Sequence, residues 1–178
     1  VERTPRPVVL DLGCGTGEST IALAAQHASC WVFGLDRSEH RLRRARDRSL
    51  PTNARFVRCD AAHFCSLACA ANWDLHHLYL LYPNPYPKPG QLRRRWHAHP
   101  VFPTLARLQA GMELRTNWDL YAREFEISLG VFGRQAECRS VEHMAPISAF
   151  ERKYLGRGER CVVVRSPSRG KLEPLGVD

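Results

Sequence analysis

The sequence is short of several things, and each shortage closes off a class of protein. Its seven cysteines include no C-x-x-C pair, and an odd, unpaired set argues against a disulfide framework or a zinc ribbon and for reduced thiols. No stretch approaches the roughly 18 apolar residues of a membrane span, and no secretory signal is visible. A reduced interior without a membrane segment reads as cytoplasmic. Lysine is nearly missing: of 26 Lys and Arg, all but Lys88, Lys153 and Lys171 are arginine. Internal repeats and linkers are absent as well. The chain starts at Val1 rather than Met, a few residues before its first strand-like run, so an N-terminal segment is expected to be missing.

With 178 residues and 44% apolar content, the expectation is one domain over residues 1–178 with a real core. The net charge of +8 and pI near 9.5 rest on guanidinium groups, which suit bidentate phosphate contacts. Nucleic acid is therefore the first partner to consider, with solvated surface charge as the plain alternative. His63, Cys65, Cys69, His76 and His77 invite a metal cluster, but their spacing fits no usual ligand pattern. No metal is expected. The oligomeric state is left open between monomer and homodimer.

Val8-Val9-Leu10-Asp11-Leu12 is an apolar, β-branched run, and Gly13-Cys14-Gly15-Thr16-Gly17 follows it directly before a helical stretch from Ser19 to Ala25. Strand, glycine loop, helix is the arrangement that lets backbone N–H groups approach a ligand at a positive helix end. A second strand, Trp31 to Leu35, ends at Asp36, nineteen residues after Gly17, where an acid can take both hydroxyls of a ribose. The loop is G-x-G-x-G, with Glu18 in place of a third glycine. That disfavours a pyrophosphate, while Asp11 would repel phosphate and accept from an ammonium group. S-adenosylmethionine, a nucleoside carrying an amino acid, fits both carboxylates better than NAD, and a dehydrogenase is the distant alternative.

Ser38 is placed to cap a helix through Arg48 whose arginines face outward. A third strand, Ala54 to Cys59, delivers Asp60 and Ala61 to its carboxyl end, either to read an adenine or, for Asp60, simply to cap the next turn. Trp73 to Leu81 reads as the fourth strand. After it, Leu81-Tyr82-Pro83-Asn84-Pro85-Tyr86-Pro87-Lys88 alternates proline so that neither helix nor sheet pairing continues. A stiff loop must leave the sheet there, and Arg93, Arg94 and Arg95 follow it. These arginines and Lys88 are candidate phosphate contacts, with an exposed helix start as the alternative; Tyr86 is placed either to stack on a base or to pack beneath the loop. Leu92 to Leu108, interrupted by Pro100 and Pro103, predicts a bent or broken helix. Met112 to Thr116 predicts a fifth strand, with Thr116 or Asn117 capping a helix through Leu129. Ala136 to Glu142 and Arg160 to Arg165 predict a closing antiparallel pair. Ser148 to Tyr154 between them reads as a polar connection too charged for the core, and the chain from Ser166 as a frayed tail.

Together these segments resemble the class I S-adenosylmethionine-dependent methyltransferases, and within them the bacterial tRNA (guanine-N7)-methyltransferases. Tyr82-Pro83-Asn84-Pro85-Tyr86-Pro87-Lys88 is similar to that family's F-P-D-P-W-P-K, Thr116-Asn117-Trp118-Asp119-Leu120-Tyr121 to T-D-W-x-x-Y, and Ser148-Ala149-Phe150-Glu151-Arg152 to T-x-F-E-x-R. Asn84 and Asn117 stand where the family has aspartate, and Pro89-Gly90-Gln91-Leu92 replaces a basic, histidine-bearing stretch. The resemblance implies an α/β, Rossmann-like fold with a seven-stranded, mostly parallel sheet, an antiparallel last strand and helices on both faces. It implies S-adenosylmethionine held by Asp11, Gly13, Gly15, Gly17, Asp36, Asp60, Ala61 and Asn84. Asn84 and Asn117 would be catalytic, and Tyr86, Lys88, Arg93, Arg94, Arg95, Thr116, Asn117, Ser148 and Glu151 would bind substrate. The expected reaction is methylation of guanosine N7 in tRNA. The alternatives are another RNA, a small molecule, or a catalytically weak RNA-binding protein that retains the cofactor.

Overall fold

The computed structural model describes residues 6–141 and 145–169. Strands form where apolar and β-branched residues crowd together: β1 (Val8–Leu12), β2 (Trp31–Asp36), β3 (Ala54–Arg58), β4 (Leu75–Leu81), β5 (Gly111–Thr116), β6 (Glu137–Ser140) and β7 (Val162–Ser166). They make one sheet in the order β3-β2-β1-β4-β5-β7-β6. The first five pair in parallel, and β7 runs antiparallel to both β5 and β6. This is the Rossmann-like sheet with a reversed last strand that the resemblance implied. Strand order reverses between β1 and β4, and in open α/β sheets a ligand sits outside the carboxyl ends at such a point.

Alternation along β1 sends Leu10 and Leu12 to one face and Val9 to the other. On the first face Leu10, Leu78, Leu80, Met112 and Leu114 pack against α3 (Ala61–Ala70), α4 (Phe102–Arg107) and α5 (Asp119–Val131), with Phe102, Tyr121 and Phe125 fully buried. On the second face Val9, Val32, Tyr79 and Leu81 meet Leu23 and Ala24 of α1 (Glu18–Gln26). Each fully buried Leu or Phe contributes about 1.5–3 kcal/mol relative to exposure. In α2 (Glu39–Arg46) only Leu42 and Ala45 are buried and the arginines face outward, with Ser38 Oγ accepting from Arg41 N.

Several local expectations are corrected. Trp73 lies before β4, where it packs on the rings of Phe33 and Phe64 at 5.6 Å. Leu92 to Leu108 is broken, as expected, into parts of two 3₁₀ turns, at 89–94 and 96–98, and α4, but Pro103 sits in the first turn of α4 and does not interrupt it. Neither Thr116 nor Asn117 caps α5, whose N-cap is Trp118 without a side-chain bond. Thr116 Oγ1 accepts from Trp118 N in a tight turn instead. Ser148 to Tyr154 is not a loose connection but α6 (Ala149–Leu155), with Glu151 fully buried. Ser166 belongs to β7, where its hydroxyl accepts from Arg134 Nε at 2.9 Å. Glu142 lies outside the described residues. No helix among those described is long and apolar enough to cross a membrane.

Candidate active site

The glycine loop leaves β1 in a conformation that side chains resist. Gly13, Gly15 and Gly17 lie at φ 89°, 57° and 77°, and a Cβ on Gly17 would run into the Phe56 ring and the Ala45 methyl. At Gly13 and Gly15, nothing lies within 4 Å of where a Cβ would stand. That is an open backbone cradle. Gly13 N and Cys14 N donate to Leu35 O at 2.8 and 2.9 Å, which lashes the loop to β2.

Asp36 closes the same corner. Its Oδ2 accepts from Gly15 N at 3.0 Å and from Arg41 Nη1 at 3.3 Å, and its Oδ1 from Ser38 N at 2.8 Å. Asp11 is buried beneath, and its Oδ2 accepts from the hydroxyls of Ser19 and Thr20, both at 2.6 Å. Burial raises its pKa to about 6, against the pull of the two hydroxyls, with the Asp36 charge pushing it further up. One oxygen of Asp11 is thus already spent on α1, leaving Oδ1 for any ammonium. Burial likewise pushes the Cys14 thiol up, so this buried cysteine is no thiolate nucleophile. Asp60 caps α3 by accepting from His63 N at 2.9 Å and pairs with Arg37, while Ala61 opens the helix half-buried.

The proline loop leaves β4 beside this corner. Tyr82 and Tyr86 sit at φ 52° and 46°, each directly before a proline that disfavours the right-handed helical region. For bulky residues this conformation costs about 1–3 kcal/mol each and persists only when neighbours impose it. Tyr82 N donates to Arg115 O at 2.7 Å, and at Tyr86 the neighbour is Arg95. Though part of the arginine run, it is buried, donating to Pro85 O at 3.1 Å, to Tyr86 O at 3.1 Å and to Glu124 Oε2 at 2.5 Å, with its guanidinium 4.8 Å above the Trp118 ring. Its donors are used inside the protein, so it is not placed for phosphate. Lys88, Arg93 and Arg94 are exposed, and Arg94 lies 5.8 Å from the half-buried Tyr86 ring. Asn84 is exposed and accepts from Tyr86 N at 3.2 Å, closing the turn.

Across the loop, Asn117 is exposed and donates through Nδ2 to Glu159 at 2.8 Å. Ser148 and Glu151 turn inward. Ser148 caps α6 by accepting from Glu151 N, and Glu151 accepts from Ile147 N at 3.0 Å and Arg115 Nη1 at 2.8 Å. Arg115 also donates to Glu113 at 2.6 Å, and Glu113 accepts from Arg165 at 2.7 Å. The carboxylates on either side raise the Arg115 pKa despite its burial. This network escaped the sequence reading. Its signal was present: Glu113 and Arg115 alternate with Met112 and Leu114, so two opposite charges share one face of an otherwise apolar strand.

The fold is that of the class I, Rossmann-like methyltransferases. The 16S rRNA methyltransferase KamB shares it with a TM-score of 0.65, at 17% identity over 93% of this chain and 89% of that one. Residues 5–156 match the family described as putative methyltransferase, and the chain belongs to that family. Among curated relatives, a tRNA (guanine-N(7)-)-methyltransferase of Leifsonia xyli is 29% identical over 86% of this chain and 71% of its own. A trans-aconitate 2-methyltransferase of Deinococcus radiodurans is 33% identical over 89% of this chain and 60% of its own. The chain spans between 36% and 71% of the length of the first curated relatives it matches.

Proposed function

We propose that this chain transfers a methyl group from S-adenosylmethionine to a nucleobase of structured RNA, with N7 of a tRNA guanosine as the first candidate. One observation carries the reading: the open glycine cradle with Asp36 and the proline loop with Asn84, Lys88, Arg93 and Arg94 leave the same carboxyl edge of the sheet, on either side of its switch point. The similarity to tRNA (guanine-N(7)-)-methyltransferases supports the substrate class.

The residues present fit the cofactor. Gly13 and Gly15 leave room for close approach, Gly17, Asp60, Ala61 and Asn84 border the same edge, and Asp11 and Asp36 supply two carboxylates for an ammonium and a ribose. When bound, S-adenosylmethionine would supply an activated methyl group. Guanine N7 already carries a lone pair, so the chain needs no base to create a nucleophile. Its task is to orient the acceptor and hold it against water. As the base becomes cationic, a group accepting from its N–H edge stabilises it, most strongly when charged. Asn84 offers one neutral acceptor where an aspartate would offer two charged ones.

The similarity to a trans-aconitate methyltransferase favours a second reading, a small acidic acceptor met by the exposed Lys88, Arg93 and Arg94. Incubation of the protein with labelled S-adenosylmethionine and total tRNA, followed by mapping of the labelled base, separates the readings. Label on guanosine N7 is expected. Label on another base changes the target, and cofactor binding without incorporation into RNA refutes the RNA methylation reading.

A further inference from the structure

We propose that His27, Cys30 and His76 form a site for a single divalent cation of the zinc class at the amino-terminal edge of the sheet, the edge opposite the glycine and proline loops. A ring nitrogen from each histidine and the Cys30 sulfur lie within 4.8 Å of one another, the only such group of three or more His, Cys, Asp or Glu residues among those described. Two local devices bring them together. His27 ends α1, and Cys30 N donates to His27 O at 2.9 Å, so the His-x-x-Cys segment is one tight turn presenting two ligands. The third arrives through a β-bulge: Val8 pairs with Leu75 and Val9 with His77, which leaves His76 as the extra residue of β4 and re-aims its side chain.

The donor set selects the ion. One thiol and two imidazoles suit zinc and its borderline neighbours, whereas magnesium and calcium seek oxygen. Three protein ligands leave a fourth position for water. A supporting shell is also present: the Tyr79 hydroxyl lies 2.8 Å from His27 Nε2 and holds that ring, and the His77 ring packs on Tyr79 at 4.4 Å. Such outer partners orient metal-bound histidines. The ion would tie the α1–β2 turn to the start of β4, remote from the methyl-transfer edge. Of the set His63, Cys65, Cys69, His76 and His77, only His76 belongs to this group, since His63, Cys65 and Cys69 all lie on α3.

The test uses the full chain, stripped with chelator and titrated with zinc against a chromophoric competitor, with cobalt(II) as a spectroscopic stand-in. Stoichiometric zinc binding, a zinc-dependent rise in Tm and a cobalt–thiolate charge-transfer band are expected. Cys30→Ser should abolish the band, Tyr79→Phe should weaken zinc binding about tenfold or more, and His76→Ala, at an exposed position, should weaken it at least as much. Cys138→Ser, at an exposed cysteine outside the group, should change none of these. Absence of stoichiometric binding overturns the proposal, as does binding that survives both Cys30→Ser and His76→Ala.

Discussion

Glu151 and Arg115, thirty-six residues apart, meet at 2.8 Å inside the protein, with Glu151 wholly shielded from solvent. The pair joins α6 to β5 and, through Glu113, to Arg165 of β7. A buried ion pair adds little over an apolar substitute, but removing one partner strands the other. Glu151→Ala is therefore expected to lower stability by about 3 kcal/mol, measured by urea unfolding, and any loss of methyl transfer in it should follow the loss of folded protein.

Arg94 and Arg95 should separate cleanly. Arg95→Ala removes a buried partner of Glu124 and the donors that hold Pro85 and Tyr86, and is expected to cost about 3 kcal/mol of stability. Arg94→Ala should change stability by less than about 0.5 kcal/mol. If Arg94 meets a phosphate, its loss should reduce the slope of tRNA affinity against salt by about one. Denaturation and salt-dependent binding of both variants check the contrast.

Asn84→Asp is expected to speed guanine methylation by about one to two powers of ten, since charge-assisted hydrogen bonds are worth about 1.5–3 kcal/mol against about 1 for neutral ones. The turn should survive, because a carboxylate accepts from Tyr86 N as Asn84 Oδ1 does at 3.2 Å. Steady-state kinetics on tRNA should show the gain in kcat, with thermal stability nearly unchanged.

Asp11 sets a pH dependence. Its pKa is raised from 3.8 to about 6, chiefly by burial, so between those values the folded state binds more protons than the unfolded one. Stability therefore falls as pH rises through that window, by at most about 1.4 kcal/mol per pH unit from this group, and the effect is flat on either side. Other carboxylates superimpose their own slopes. The difference between the wild type and Asp11→Asn, which keeps an acceptor for Ser19 and Thr20, isolates the contribution in urea titrations across pH 4 to 7.

Much of the fold was legible in the chain. Apolar runs ending in Asp11 and Asp36, glycines at alternate positions and a proline-studded exit from β4 are local signals, because backbone freedom and hydrogen-bond capacity are properties of single residues. Position within a run was less legible. Arg93, Arg94 and Arg95 look alike in sequence, yet Arg95 alone turns inward to Glu124 and Trp118.

The sequence by itself determined the succession of strands and loops along the chain, the glycines at alternate positions after β1 and the neutral Asn84 and Asn117, since each follows from which atoms a residue carries. Only the tertiary structure decided that Glu151 lies against Arg115, that Arg95 is buried, and that His76 reaches His27 and Cys30 through a bulge. The reason is physical. Burial and pairing depend on groups brought together from distant parts of the chain, and a charged side chain reads as surface until its partner is in place.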